Sequence, residues 1–279
     1  MKLAFEMEKT VKTRYSVRTY KDQPIAAETR AKLQSYINTL SNPFGASVTF
    51  AMLESKTAAN GDKLGTYGMI TGAKEYFGAS VRSSDLSLEG LGYEFESLVL
   101  YAASLGIGTC WLGGTFNRGE FAKALSVKED DLLPAISPIG YPAKKNLKES
   151  LVRKSIKADK RKPWNTLFFN DNFSSPLSEE DAGSYAFPLE MTRLGPSASN
   201  KQPWRIVRIA NTYHFYEDKA QGYSDRLGFD VQKIDMGIAA CHFQLAAMEK
   251  DLAGTFEKLT APSIDTPENM LYCFSWIAG

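Results

Sequence analysis

Two stretches of the chain carry the clearest helical spacing of apolar residues. Leu91, Phe95, Leu98, Val99 and Ala102 follow one another at intervals that keep them on one helix face. Val231, Ile234, Ile238, Cys241, Leu245, Met248 and Leu252 alternate intervals of three and four, which predicts a second long helix. Both predicted helices run to a Gly-Thr pair, Gly108-Thr109 and Gly254-Thr255, and each is followed by a strand-like apolar run, residues 135–140 and 273–279. The order upstream repeats as well. A helix-like segment (26–40; 178–193) leads to a Pro-containing turn (Asn42-Pro43-Phe44-Gly45; Gly195-Pro196-Ser197-Ala198) and then to a strand (47–53; 204–209). This pattern predicts a diverged tandem duplication, residues 1–170 and a shortened 171–279, intertwined as one compact unit.

Residues 97–117 form a run of 21 without a charge, about the length that spans a bilayer. Gly106, Gly108, Gly113 and Gly114 interrupt it, however, and glycines at that density break a continuous helix. The run therefore reads as a buried helix ending near Leu105 that enters a glycine-rich loop.

Composition narrows the class further. Hydrophobic residues make up 43% of the 279 and charged residues 23%, which excludes a disordered chain, and 33 Lys+Arg against 32 Asp+Glu leave a formal charge of +1. Nothing in that balance pulls the protein toward nucleic acid or a membrane. Cys110, Cys241, Cys273, His214 and His242 are too scattered for a disulfide framework or a metal cage, which predicts a reducing, cytoplasmic setting. The N-terminus, Met1-Lys2-Leu3-Ala4-Phe5-Glu6, meets charges before an export signal can form. Charge is uneven only in residues 144–162. Nine Lys/Arg there face Glu149 and Asp159, either as a solvated connector or with one or two side chains closing on a ligand phosphate.

Three segments offer chemistry. Arg14-Tyr15-Ser16-Val17-Arg18 sets two guanidinium groups and a hydroxyl within reach of one anion, on a helical turn or at a helix-to-strand junction. Gly106-Ile107-Gly108-Thr109-Cys110-Trp111-Leu112-Gly113-Gly114 is not a dinucleotide fingerprint, because Trp111 stands where the third glycine belongs and the loop follows a helix. It can instead present backbone N–H groups to a planar ligand beside Trp111 and Leu112, or serve as a plain helix end. Gly195-Pro196-Ser197-Ala198-Ser199-Asn200-Lys201-Gln202-Pro203-Trp204 is a turn unusually dense in hydroxyl and amide side chains that leads straight into a strand.

Together these segments resemble the nitroreductase family of FMN-dependent oxidoreductases, with Arg161-Lys162-Pro163 similar to that family's basic phosphate-returning segment. The resemblance implies an α+β, nitroreductase-like fold of mixed and antiparallel sheets flanked by helices, its two repeats forming an intramolecular pseudo-dimer. It implies one FMN per chain. Arg14, Ser16 and Arg161 would lie at the phosphate, Arg18 at the pyrimidine end of the ring, and Gly113 or Gly114 at N5. Tyr15, Trp111, Leu112, Pro196, Ser197, Ala198 and Asn200 would complete the contacts.

Hydride would pass from NAD(P)H, a diffusible reductant, through FMN to a small acceptor such as a nitroaromatic or quinone, with no catalytic side chain. The alternative is a flavin-binding or flavin-handling protein without NAD(P)H-dependent turnover. A monomer acting as a pseudo-dimer, without nucleic-acid or membrane partners, is the implied state. Departures from the family pattern fall in the redundant copies: Asn42-Pro43-Phe44-Gly45 replaces a Pro-Ser loop, and Gly254-Thr255-Phe256-Glu257 a glycine loop. Thr66, Tyr67 and Met69 align loosely with a segment that edges the ring. A thiol hydrolase built on Cys110 with His214 or His242 lacks any third member.

Overall fold

The computed structural model describes residues 3–54, 65–144 and 146–279; Met1 and Lys2 of the N-terminal reading and Lys145 of the basic run lie outside the described residues. In chain order the elements are α1 (Met7–Thr13), α2 (Ala27–Ile37), β1 (Val48–Glu54), β2 (Glu75–Arg82), α3 (Ser87–Ser104) and β3 (Gly108–Thr109). They continue with α4 (Arg118–Ala124), β4 (Asp131–Gly140), α5 (Leu147–Ser155), β5 (Phe168–Asn170), α6 (Glu179–Ala182) and α7 (Ala186–Leu194). The last are β6 (Trp204–Ile209), β7 (Thr212–Asp218), α8 (Val231–Glu249), β8 (Gly254–Glu257) and β9 (Met270–Ala278).

α3 and α8 form the centre. Both are buried around most of their circumference, which accounts for the charge-poor run that α3 opens. They approach closely because Gly92 faces the Ile234 carbonyl and Gly237 faces the Glu89 carbonyl, where an added Cβ would overlap backbone. Among the described residues, no helix is long and apolar enough to cross a membrane.

One sheet has the order β1-β2-β4-β3, antiparallel throughout. The other, β5-β6-β7-β9-β8, is antiparallel except where β5 runs parallel to β6. This is the α+β arrangement of mixed and antiparallel sheets with flanking helices that the sequence implies. β5 lies within residues 1–170 yet pairs in the second sheet. Two large apolar clusters form, one around Phe77, Phe95 and Leu98 and one around Phe215, Phe243 and Phe274, and each takes residues from both halves: Ile234 and Ile238 join the first, Met7 and Leu100 the second.

Two details differ from the sequence reading. The Gly-Thr pairs are strand residues, not helix ends: Gly108 pairs with Gly140, and Gly254 with Ala278. α3 ends at Ser104, matching the reading of a helix that ends near Leu105, and α8 ends at Glu249; the chain turns through left-handed conformations just beyond, at Gly106 (φ 76) and Asp251 (φ 54). The helix read over 178–193 is divided into α6, a 3-10 turn at Gly183–Tyr185 and α7, with Gly183 at φ 56 making the break.

Candidate functional site

The N-terminal arginine segment is a helix-to-strand junction. α1 ends at Thr13, and Arg14 is already extended (φ −62, ψ 135). Ser16 then bridges Thr109 of β3, and the Val17 N–H donates to the Thr109 carbonyl at 2.8 Å. That approach needs a glycine at 108, where a Cβ would stand 2.7 Å from Val17 Cγ2. Farther on, Thr19 bridges Thr71 and Tyr20 bridges Pro142. The Tyr20 hydroxyl donates to the Val17 carbonyl at 2.7 Å. The segment is thereby clamped on both edges, and its beginning opens onto a cleft.

That cleft, of about 270 Å³, is lined by Arg14, Tyr15 and Ser16 from the first 20 residues and by Pro196, Ser197 and Asn200 from the loop some 180 positions later. Arg161 joins them. Also present are Lys12, Arg153 and Asp159, which the sequence reading did not single out. Arg153 pairs with Asp159 and its guanidinium lies 5.6 Å from the centre of the Tyr15 ring. Burial, followed by repulsion from Arg14, Arg193 and Arg153 that Asp159 only partly offsets, pushes Arg161 down to about 10. It stays charged at neutral pH, in a cleft with more cations than carboxylates.

Backbone carbonyls hold the Arg161 fork. Nε and Nη2 donate to the Leu194 carbonyl at 3.2 and 3.0 Å, and Nη1 donates to those of Ala158 and Lys160 at 3.0 Å each. The loop beyond Leu194 contains three non-glycine residues at positive φ: Ser199 (48), Asn200 (55) and Gln202 (48). Such conformations persist where surrounding bonds over-determine them. Here Asn200 Nδ2 donates to the carbonyls of Lys157 (2.8 Å) and Lys160 (3.0 Å). Gln202 Oε1 accepts from the Lys162 N–H at 2.8 Å, and Ser197 Oγ accepts from the Gln202 N–H at 2.8 Å. The polar side chains thus bolt the loop to the basic segment. The Lys162 ammonium turns instead toward Asp218, 3.8 Å away.

Arg18, Trp111, Leu112, Gly113, Gly114 and Ala198 do not line this cleft. Arg18 Nε and Nη1 are buried without a hydrogen-bond partner among the described residues. Leu112 is buried and bridges Ile136. Gly113 and Gly114 face Val231 and Leu227 at ordinary contact distance, since a Cβ would meet them at 3.6 and 3.4 Å. Neither packing by the protein nor backbone conformation therefore requires glycine at these two positions. The Ala198 N–H donates to Asp235 Oδ1 on α8 at 2.9 Å. Arg118 supports the glycine loop, with Nη2 2.7 Å from the Gly113 carbonyl and Nε 2.8 Å from that of Leu133. Its charge at the start of α4 gives no sign of this in the sequence. Tyr67 stands on a turn at φ 47 and is 68% exposed.

The thiol route finds no support in the geometry. Burial pushes the Cys110 thiol up, His214 Nδ1 is engaged with Ser275 Oγ at 2.7 Å, and His242 is a fully buried, doubly bonded core residue.

A family model described as "Putative TM nitroreductase" matches residues 6–247. Among solved structures, the chain is similar to the "putative nitroreductase" of Thermotoga maritima MSB8 at 20% identity. That match covers 99% of this chain and 95% of that one, with a TM-score of 0.63. It is also similar to an "FMN-dependent Nitroreductase" of Clostridium difficile R20291 (18% identity, 49% and 88% coverage, TM-score 0.39). A third is the "Putative NADH dehydrogenase/NAD(P)H nitroreductase" of Bacteroides thetaiotaomicron (21% identity, 50% and 88% coverage, TM-score 0.42). No curated protein matches the chain.

Proposed function

Because the chain belongs to this nitroreductase family, we propose that it is an FMN-dependent oxidoreductase that binds one flavin across its two halves. The observation that carries the reading is the shared cleft. Arg14 and Ser16 from the start of the chain meet Arg161 and the Ser197 and Asn200 loop there, among cations that lack enough carboxylate partners. A phosphate dianion is the chemistry such a cluster accepts. The orphaned donors of Arg18 fit an electron-rich ring edge, and two adjacent glycines that the fold itself does not need fit a ligand approaching backbone.

On this reading Arg14, Ser16 and Arg161 hold the phosphate, and Arg153, bridged to Asp159, adds field without being free to move. Arg18 stabilises negative charge at the pyrimidine end of the ring. Gly113 and Gly114, kept in place by Arg118, offer backbone N–H groups, while Pro196, Ala198, Trp111 and Leu112 provide apolar surroundings. Bound FMN would supply the hydride chemistry, accepting from NAD(P)H and donating to a small acceptor such as a nitroaromatic or quinone. Duplication into repeats 1–170 and 171–279, folded as a pseudo-dimer, is supported by the matching order of antiparallel strands, long buried helix and Gly-Thr strand in each half.

The test is direct. Apoprotein titrated with FMN should quench flavin fluorescence at one equivalent per chain, and NADH or NADPH should bleach the complex under anaerobic conditions. Absence of FMN uptake refutes the proposal. Uptake without bleaching by either nucleotide selects the flavin-handling alternative.

A further inference from the structure

The proposed site draws the glycine loop and the Pro-Ser loop from opposite halves of the molecule. A hydrogen-bond chain runs from the glycine loop to the last turn of α7, the helix that leads into the Pro-Ser loop. It begins at Trp111, in the glycine loop, whose indole Nε1–H donates to Glu96 Oε2 at 2.7 Å. The other carboxylate oxygen, Glu96 Oε1, lies 3.0 Å from His242 Nε2. His242 Nδ1 lies 2.8 Å from the Met191 carbonyl. Carbonyl oxygen only accepts, so Nδ1 carries a proton, and Nε2 shares one with Glu96. Met191 is in the last turn of α7, and the His242 ring also packs against Gly195, where an added Cβ would be 3.7 Å from the ring. Gly195 immediately precedes Pro196.

Glu96 is on α3, His242 on α8, and both side chains are wholly buried. A buried acid and imidazole are costly to remove from water, and a hydrophobic pair would fill the same space at least as stably. What the polar pair adds is direction. Both carboxylate oxygens and both ring nitrogens are used, so the indole, the two central helices and the α7 terminus have one mutual arrangement that satisfies every group.

We infer that Glu96 and His242 are positioning residues: acting through Trp111 and the Met191–Gly195 turn, they hold the glycine loop of one half in register with the Pro-Ser loop of the other. The inference rests on the flavin reading for its consequence, not for its geometry. Neither residue touches the cleft.

Replacement chemistry separates positioning from bulk. In Glu96→Gln the amide oxygen can accept from the indole while the amide NH₂ donates to a neutral His242 Nε2, leaving Nδ1–H on the Met191 carbonyl. Glu96→Leu keeps volume and removes every bond. Dissociation constants for FMN are measured by flavin fluorescence quenching, and the emission of Trp111 is isolated as the difference from a Trp111→Phe variant. Glu96→Leu should weaken FMN about 10- to 100-fold, the range for breaking a buried hydrogen-bonded network, and should shift Trp111 emission. Glu96→Gln should stay within about threefold of wild type, the spread expected when every bond is re-formed. In the Trp111→Phe background the Glu96→Leu effect on FMN affinity should shrink, because part of the path is already cut.

Unchanged FMN affinity in Glu96→Leu overturns the inference, as does a loss that adds in full in the Trp111→Phe background. If Glu96→Leu does not fold, His242→Leu, which removes both ring bonds, replaces it with the same criteria. Wild-type protein that takes up no FMN defeats the flavin reading instead; the Trp111 emission shift then decides whether the chain orients the loop.

Discussion

Arg161→Met offers the sharpest separation between a residue that props up the fold and one that waits for an anion. In the free protein two terms oppose each other. The substitution abandons bonds to the Leu194, Ala158 and Lys160 carbonyls, each worth about 0.5–1.5 kcal/mol net. It also removes a cation that burial and neighbouring arginines disfavour, holding it at about 10 against 12.5. At about 1.4 kcal/mol per tenfold change in proton affinity, relief of that penalty has a ceiling of about 3 kcal/mol, trimmed by solvent at the cleft mouth. Terms of similar size and opposite sign leave the apoprotein melting temperature within a few degrees of wild type.

The flavin-bound protein has no such compensation. A charge-assisted bond to phosphate is worth about 1.5–3 kcal/mol, so FMN should bind about 10- to 150-fold more weakly. With FMN at about 100 times the wild-type dissociation constant, binding stabilises the native state by about 2.7 kcal/mol; after a 50-fold loss of affinity only about 0.7 kcal/mol remains. For a chain of this size that is a ligand-induced rise of about 5–10 °C falling to about 1–3 °C. Thermal melts of both proteins with and without FMN measure it. An Arg161→Met protein that keeps the full rise, or an apoprotein that collapses by well over 10 °C, would refute the assignment.

Arg18→Met should leave apoprotein stability unchanged or raised, because buried donors without partners disappear. It should lower the midpoint potential of bound FMN, read by anaerobic redox titration, since a cation that favours the reduced ring is lost. Gly92→Ala should destabilise the chain by at least about 3 kcal/mol in denaturant unfolding, because its Cβ would overlap the Ile234 carbonyl of α8 and neither helix backbone can yield. Glu217 is buried and its carboxyl is pushed up to about 7 from 4.5, burial being the largest cause. A carboxyl raised in the folded state stabilises fully below its unfolded value and loses that contribution as pH rises toward 7. Glu217→Gln should therefore gain stability relative to wild type between pH 5 and pH 8, seen as diverging melting temperatures; parallel pH profiles would exclude the effect.

The parts of this site legible in the sequence are those whose residues keep fixed spacing within one segment. Arg14 and Ser16, or Ser197 and Asn200, are read as short strings whatever the fold around them. Arg153 and Asp159 were hidden because a basic run does not reveal which members turn inward: Arg153 and Arg161 are partly covered, while Lys154, Lys157 and Lys160 are exposed. β6 was visible, but β7, its neighbour, was not. His214 and Glu217 break the apolar pattern of β7, yet both are buried in the sheet, so the alternation that marks a half-exposed strand never appears. The end of α3 near Leu105 was legible because Gly106 breaks the helix there, whereas the end of α8 was not, because Asp251 turns the chain without a glycine to mark it.

The decayed copies of the two loops explain why one site suffices. On the duplication reading, the counterpart of the Pro-Ser loop is Asn42-Pro43-Phe44-Gly45, and the counterpart of the glycine loop is the β8 stretch Gly254-Thr255-Phe256-Glu257. These two meet. Phe44 packs 5.8 Å from Phe256 and 4.7 Å from Phe274, ring centre to ring centre, so aromatic carbon occupies the crevice that a symmetric partner would leave for a ligand. Asn42 fixes the plug. Its Oδ1 accepts from the N–H groups of Phe44 (3.0 Å) and Ala46 (3.1 Å), and its Nδ2 donates to the Ala46 carbonyl at 2.8 Å. A pair of separate identical chains could not make this exchange, since any residue that fills one crevice fills both. Covalent linkage makes the two halves independent in sequence and their association intramolecular. On the flavin reading, one crevice can then become hydrophobic core, contributing stability, while the other keeps the strained loop and crowded arginines of a ligand-binding cleft.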